Sequence, residues 1–234
     1  ERDLVKLVRH HVAHTPWFKN RIKEQGLAPS DLWTLEGLKQ YEPFTKRDIQ
    51  QAGKNFATQS VPRVYLPIGH VESSGSTGQP VTVARSAITQ VIWEAMTLRD
   101  HQWNKRNYNG RLCAIRANIE KETVQPNWGA TVNRLYKSGP SLGMNISSNI
   151  DHMMKRLREF QPNILVIHAG ALLEMIDIWN KNGFDLHNLK HIKNIGDTVS
   201  DELRNKMRAL TGLEIEDNYS SSETGVIAIQ CTEG

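Results

Sequence analysis

Apolar residues near the start of the chain recur at the spacing of one helical face: Leu4, Val5, Val8 and Val12. Pro16 interrupts this pattern, because a proline inside a helix removes a hydrogen bond and clashes with the preceding turn. Thr45 precedes a polar stretch that begins at Lys46, and its hydroxyl is placed to cap a short helix there. We therefore predict that residues 1–60 form a helical arm.

From residue 61 onward, short apolar runs alternate with amphipathic segments. The runs predict strands at residues 64–68, 81–83, 164–167, 192–195, 213–216 and 226–229. The amphipathic segments predict helices after Ser86, at 150–160, at 172–179 and after Ser200, the last of them ending at Gly212. Because strands and helices alternate, we predict an α/β core over residues 61–234 with a largely parallel sheet covered on both faces.

Composition and charge narrow the classes of function. The 234 residues are 38% hydrophobic and include six Trp, which is enough for one large domain or two small ones. The net charge is +4, but Lys and Arg are scattered among Asp and Glu, which argues against a nucleic-acid partner. No apolar run approaches the ~18 residues that a membrane span requires, so no membrane partner is expected.

The cysteines bear on the cellular compartment. Cys113 and Cys231 are far apart and form no C-x-x-C pair. This usage argues against a disulfide scaffold or a cysteine-based zinc site, and it is typical of the cytoplasm, which is the expected location. The sequence is silent on oligomeric state, and a homodimer stays open.

Residues 73–78 form a run of six small residues, Ser-Ser-Gly-Ser-Thr-Gly. A glycine-rich turn can aim several backbone N–H groups at one anion because no Cβ blocks the approach, and the Ser and Thr hydroxyls add donors. A solvent-exposed hairpin loop is the alternative. The segment is not a Walker loop, because Gly78 is followed by Gln79 instead of lysine.

This run resembles the phosphate-binding loop S-S-G-T-T-G-x-P of the adenylate-forming superfamily, the acyl-CoA synthetases and their relatives, with Ser76 in place of Thr. Residues 219–223, Tyr-Ser-Ser-Ser-Glu, resemble that superfamily's Y-G-x-[ST]-E motif, with Ser220 in place of glycine. Residues 196–204 resemble the G-E-x-[LV]-S-x-E-L-R segment of the phenylacetate-CoA ligase branch. Residues 15–18 and 43–48 resemble its T-P-[FY]-Y and P-x-T-K-x-D signatures.

The resemblance implies the fold of a large N-terminal domain of an adenylate-forming enzyme, with layered mixed and parallel sheets covered by helices. It also implies ATP and Mg²⁺ as ligands. The residues that it assigns to the nucleotide are Ser73, Ser74, Gly75, Ser76, Thr77 and Gly78 at the β and γ phosphates, Tyr219 with Ser220 and Ser221 at adenine, and the backbone of Gly196 and Asp197 beside them. Glu223 with Ser222 is expected to position Mg²⁺.

These assignments have plainer alternatives. Glu223 can be read as a helix-cap acid, Tyr219 as a core residue, and Asp197 as a turn residue after a strand. His168 ends a predicted strand, where ligands of open α/β sheets collect. It is a candidate contact for the acyl substrate, or else a loop histidine with its hydrogen bonds satisfied.

The implied activity is ATP-dependent conversion of a small, aromatic carboxylic acid into an acyl adenylate, followed by transfer to a thiol, coenzyme A. Two alternatives stay open: transfer to an amine or a carrier protein, and an inactive nucleotide-binding or scaffolding relative. The family's T-G-D segment, hinge and C-terminal lid domain with a catalytic lysine find no match within residues 1–234. We therefore expect this chain to be the N-terminal portion of such an enzyme and to be inactive alone.

Overall fold

A computed structural model describes residues 1–72, 81–221 and 224–231. The chain divides into two compact units, Glu1–Gln90 and Val91–Gly234. The domain boundary predicted at residue 60 stays a prediction. In the described ranges, no helix has both the length and the hydropathy needed to cross a lipid bilayer.

The first unit is mainly helical. Its helices and strands are α1 (Arg2–His14), α2 (Pro16–Glu24), α3 (Leu35–Leu38), α4 (Lys46–Ala52), β1 (Ile68–Glu72) and β2 (Thr82–Ser86), with 3-10 turns at Pro29–Leu32, Gly53–Phe56 and Arg63–Tyr65. Val8 of α1, Ile22 of α2 and Leu32 of the Pro29–Leu32 turn are buried together at its centre. The predicted break at Pro16 is confirmed, because Pro16 begins α2.

Local hydrogen bonds explain why α4 begins where the sequence predicts. Thr45 Oγ1 accepts from the Asp48 backbone N–H at 3.2 Å, and the Asp48 carboxylate accepts from the Thr45 N–H at 2.6 Å. This reciprocal pair satisfies N–H groups that have no partner within the helix.

The strand predicted at residues 64–68 is wrong over most of its length. Arg63–Tyr65 form a 3-10 turn, and β1 begins only at Ile68. Pro62 and Pro67 bracket this stretch, and a proline has no N–H to donate to a strand ladder. β1 and β2 then pair antiparallel with Glu72 opposite Thr82. The predicted phosphate loop, 73–78, joins these strands and lies outside the described residues.

The second unit begins within α5 (Ala87–Trp103) and is built on a six-stranded sheet. Its further elements are β3 (Leu112–Arg116), β4 (Thr123–Gln125), α6 (Ala130–Asn133), β5 (Ser141–Asn145), α7 (Ile150–Phe160), β6 (Ile164–Ile167), α8 (Ala169–Asn182), β7 (His191–Asn194), α9 (Asp201–Thr211), β8 (Ile215–Glu216), β9 (Asn218–Ser221) and β10 (Gly225–Ile229). The strand order is β4-β5-β3-β6-β7-β8, and every neighbouring pair is parallel except β4 with β5. The predicted largely parallel α/β sheet is confirmed.

One face of this sheet carries the main core. Side chains from β3, β5, β6 and β7 pack there against α7, α8 and α9, with Leu157, Met175 and Ile176 completely buried. The two predicted N-terminal and C-terminal limits of α9 are confirmed, since Ser200 Oγ accepts from the Leu203 N–H at 3.2 Å and Gly212 ends the helix at φ +72°. The opposite face is lined by α5, α6 and the β9–β10 hairpin, and it holds the candidate site.

Candidate functional site

Three of the predicted site residues meet at the carboxyl ends of β6 and β7. His168 directly follows β6, and Gly196 and Asp197 follow β7. The His168 Nδ1 atom lies 3.4 Å from the Asp197 Oδ2 atom. Gly196 has φ +79°, and a Cβ atom there would lie 2.6 Å from the His168 ring. This corner therefore needs glycine at position 196, for its backbone conformation and for its closeness to the imidazole.

A hydrogen-bond network ties this corner to the chain just before the tyrosine motif. The buried Asn194 side chain donates to the Asp197 carbonyl at 2.6 Å and to the Asp217 carboxylate at 3.0 Å. Arg204 donates to the Ile215 carbonyl at 2.7 Å and to Asp217 at 3.3 Å. The motif at 196–204 thus has a structural role, because its last residue holds α9 against the strand that leads into β9.

The tyrosine motif lies on a two-stranded hairpin. β9 pairs antiparallel with β10, and the Ser221 hydroxyl accepts from the Thr224 N–H at 3.1 Å across the turn. Tyr219 is 68% exposed, so the reading of this residue as core packing is wrong and its ring is open to a ligand. Ser222 and Glu223 lie outside the described residues, and their assignment to Mg²⁺ stays a prediction.

A cavity of about 510 Å³ adjoins this corner within the second unit. Ile195 and Ser220 belong to its wall, which continues over β3 and β5 to α6. The wall combines the aromatic rings of Trp93 and Trp128 with polar side chains, and its size suits a small organic molecule.

A cluster of ionised side chains supports one side of the cavity. Arg106 lies between two carboxylates: it donates to Asp100 at 2.6 Å and through its Nε–H to Glu216 at 3.0 Å. Lys193, which lines the cavity, donates to Asp100 at 2.5 Å. The ring of His191 contacts Glu216, with 2.7 Å between Nδ1 and Oε1. These groups come from α5, from the loop that follows it, and from β7 and β8.

Two effects set the pKa values in this cluster: burial disfavours the ionised forms, and ion pairing favours them. Burial disfavours the ionised form of Asp100, but hydrogen bonds and charges from Arg106 and Lys193 outweigh it, and the pKa of Asp100 is lowered. Likewise the carboxylates of Asp100 and Glu216 outweigh burial and raise the pKa of Arg106. For Lys193 burial is the larger effect, and its pKa is lowered.

His101 is a buried neutral imidazole beside this cluster. Its Nδ1 atom lies 3.1 Å from Arg106 Nη1, and its ring packs against Tyr108 and Trp128. Burial, and then the charge of Arg106, lowers the pKa of His101 to about 3. The ring is therefore uncharged at neutral pH and accepts a hydrogen bond from the guanidinium.

Sequence reasoning missed these charged residues and also Arg116, which lines the cavity at the end of β3. One local signal was available, because Lys193 is a lysine inside a predicted apolar strand. The partners themselves left no signal, since Arg106 and Glu216 are 110 positions apart. Among the described residues, no group of three or more His, Cys, Asp or Glu side chains is arranged to hold a metal ion.

Comparison with curated proteins finds similarity along nearly the whole chain, although no family model matches it. The phenylacetate-coenzyme A ligase of Pseudomonas putida is 25% identical over 236 residues, which cover 97% of this chain and 51% of the relative. The enzyme of the same name from Aromatoleum evansii is 23% identical, with the same coverage of both chains. The chain thus spans about half the length of these relatives.

Solved structures share the fold at lower identity. A 2-hydroxyisobutyryl-CoA ligase in an open conformation, in complex with 2-HIB-AMP and CoA, aligns with a TM-score of 0.64 and 15% identity, covering 95% of this chain and 53% of that one. The same ligase in the postadenylation state aligns with a TM-score of 0.65 and 16% identity, covering 95% and 48%. The chain is therefore similar in sequence to phenylacetate-coenzyme A ligases over about half of their length, and it shares the fold of the matching half of a 2-hydroxyisobutyryl-CoA ligase.

Proposed function

We propose that the protein carrying this chain is an ATP-dependent carboxylate–CoA ligase, and that this chain supplies its nucleotide and acid sites. The observation that carries the proposal is the corner at Gly196, where there is no space for a side chain and where the cavity wall begins. The corner lies at the carboxyl edge of a parallel sheet, where ligands of α/β proteins bind. The names of the relatives support the same class of reaction.

The reaction has two group transfers. A carboxylate oxygen of the acid bonds to the α phosphorus of ATP, the bond from that phosphorus to the bridging oxygen breaks, and pyrophosphate leaves. The sulfur of CoA then bonds to the acyl carbon, the bond from that carbon to the AMP oxygen breaks, and the thiol proton passes to solvent. The first step depends mainly on positioning and on neutralising phosphate charge.

The described residues have defined places in this scheme. The exposed ring of Tyr219 is the proposed stacking surface for adenine, a contact of about 1–3 kcal/mol per base in other proteins. The Gly196–Asp197 backbone is proposed to lie beside the base, held by Asn194. His168 is proposed to contact the acid, because its ring lies against Gly196, the neighbour of the cavity-wall residue Ile195.

The remaining assignments depend on motifs alone. Residues 73–78 are proposed to bind the β and γ phosphates, and Ser222 with Glu223 to hold Mg²⁺. That ion, when bound, supplies positive charge at the polyphosphate, and a single carboxylate with phosphate oxygens and waters suffices to hold it. The acid is proposed to be small, and the tryptophans of the cavity wall suit an aromatic ring. We propose the cytoplasm as the location.

Nucleotide binding is the first test. Calorimetric titration with ATP and Mg²⁺ is expected to give saturable binding, weakened at least tenfold by Gly78→Val. Gly69→Val is the matched control, because Gly69 is exposed in β1 and a Cβ atom there would meet its nearest neighbour, the Arg85 carbonyl oxygen, only at 4.0 Å. Equal affinities for the wild type and both variants would exclude the phosphate loop.

Pyrophosphate release then tests the chemistry and the acceptor. From the natural full-length protein we expect pyrophosphate release that depends on an added carboxylic acid, and an acyl-CoA product when CoA is present. If pyrophosphate is released but the acyl group is transferred only to an amine or a carrier protein, that molecule would replace CoA as the proposed acceptor. ATP binding with no acid-dependent release from the natural full-length protein would favour a non-catalytic relative.

A further inference from the structure

Arg116 brings a positive charge to the wall of the cavity, and none of the described residues pairs with it. It is the last residue of β3, and its exposed side chain borders the cavity. Within the described ranges, its guanidinium has no hydrogen bond and no ion pair. Partial desolvation lowers the pKa of its guanidinium, and no carboxylate among the described residues compensates this effect.

Among the residues that the structure describes, positive charges outnumber negative ones around the cavity. Arg106 and Lys193 are paired with Asp100 and Glu216, whereas Arg116 is a third cation without a carboxylate partner in the described ranges. None of the described residues that line the cavity is Asp or Glu. A recess with an unpaired guanidinium and no acidic wall residue attracts an anion.

The register of the sheet places Arg116 within reach of a molecule bound at the Gly196 corner. Ala114 on β3 lies opposite Val166 on β6, which lies opposite Lys193 on β7. Arg116 is two residues farther along β3, toward the same edge of the sheet as Gly196, which follows β7. Neighbouring strands are ~4.8 Å apart, so β3 and β7 are separated by about 10 Å, the length of a small acid.

We propose that Arg116 binds a second anionic group of the acid substrate, so that the preferred substrates are dicarboxylic acids or acids with an equivalent second anion. This inference rests on the proposed function. The carboxylate that reacts with ATP is not the partner of Arg116, because it becomes uncharged in the acyl adenylate and would leave the guanidinium unpaired midway through the reaction. A second carboxylate keeps its charge through both steps, and its two oxygens match the guanidinium fork.

Equilibrium binding of matched acids tests the proposal without turnover. Hexanedioate against hexanoate, and benzene-1,4-diacetate against phenylacetate, would be titrated calorimetrically into the protein. We expect at least one diacid to bind ten times more tightly than its monoacid partner, Arg116→Gln to abolish this preference, and Arg116→Lys to retain part of it. Lys181→Gln is the matched control, since it removes an exposed charge from α8 in the same unit.

Steady-state kinetics with the same substitutions in the natural full-length protein distinguishes which anionic group Arg116 binds. Arg116→Gln is expected to raise KM for the diacid about tenfold, with kcat and the KM values for ATP and CoA nearly unchanged. A rise in KM for ATP or CoA instead would assign Arg116 to a phosphate and overturn the proposal. The absence of any diacid preference in the wild type, or its survival in Arg116→Gln, would also overturn it.

The same samples distinguish this proposal from the ligase proposal. A diacid preference that depends on Arg116, in a protein that does not bind ATP, would support the anion site and refute the ligase activity. ATP binding and acid-dependent pyrophosphate release without a diacid preference would support the ligase activity and refute the anion site.

Discussion

The two faces of the six-stranded sheet are built from alternate residues of the same strands, but they have opposite chemistry. On one face Cys113, Ile115 and Ile192 are completely buried against α7, α8 and α9. On the other face Arg116 and Lys193 come from the same two strands and line the cavity. Successive side chains of a strand point to opposite faces, so one short segment can serve both.

The apolar face contributes mainly to the stability of the fold, and the cavity face contributes mainly to ligand binding. The apolar face removes hydrocarbon from water, which favours folding wherever packing is close. The cavity face keeps charged groups partly desolvated, and it holds them only because Asp100 and Glu216 compensate most of the positive charge. Substitutions on the apolar face should therefore lower stability, whereas substitutions of unpaired residues on the cavity face should change binding.

The largest effect is expected for Arg106→Leu, which removes the paired cation from between two carboxylates. Breaking a buried ion pair by removing one partner lowers stability by about 3–5 kcal/mol, because the remaining charges stay buried. Urea unfolding followed by circular dichroism would measure it. Arg208→Leu is the control, since its pair with Glu214 is exposed and its removal should change the midpoint little. Equal losses in both variants would contradict the buried cluster.

Leu157→Ala tests the apolar face. The side chain is completely buried beneath the sheet, and deletion of such a group lowers the free energy of unfolding by about 2–5 kcal/mol. Leu135→Ala in the same unit is the control, because Leu135 is 70% exposed and should change stability by no more than about 0.5 kcal/mol. An unchanged free energy of unfolding in Leu157→Ala would show that Leu157 is not part of the core.

Gly196→Ala tests the corner where the two faces end. The added Cβ atom would collide with His168, and alanine at positive φ adds strain, so we expect a loss of about 1–2 kcal/mol and weaker ATP binding. Gly170→Ala is the control, because Gly170 is helical, has no neighbour within 4 Å of a Cβ position and should tolerate the change. Unchanged ATP affinity in Gly196→Ala would remove this backbone from the proposed nucleotide site.

The smallest effect concerns pH. The pKa of His101 is about 3 in the folded protein and about 6.5 when unfolded, so below pH 6.5 the unfolded chain binds the proton that the folded protein excludes. Stability should therefore fall as the pH drops from 6.5 toward 3, by up to about 1.4 kcal/mol per pH unit. From pH 7 to 5.5 the wild type should lose about 1 kcal/mol more than His101→Gln, measured by urea unfolding. Parallel losses would mean that the ring is protonated in the folded state.

Where the sequence pattern is strong, the first and last residues of helices and strands could be predicted to within about one position. The apolar run of β6, the amphipathic α7 and the capped α9 agree with their predictions, because their burial, caps and breakers are encoded by neighbouring residues. β3, β4 and β5 were not predicted. β5 reads Ser-Leu-Gly-Met-Asn and β4 is exposed throughout, so both are strands because partners supply the hydrogen bonds.

In the candidate site, too, some residues could be predicted from the sequence, whereas others are brought together only by the fold. Motif resemblance named Gly196 and Asp197, and the position at the end of a predicted strand named His168; the structure brings these three together. No sequence pattern indicated Arg106 or Arg116 as members of a site, and for Lys193 the only signal was a lysine inside an apolar strand. Lys193 meets Asp100 across 93 positions of sequence, which requires the register of β7 and the course of α5. Coulomb interactions depend on distance and burial, and for residues so far apart in sequence both are set when the sheet forms, so the unpaired charge of Arg116 became visible only in the folded chain.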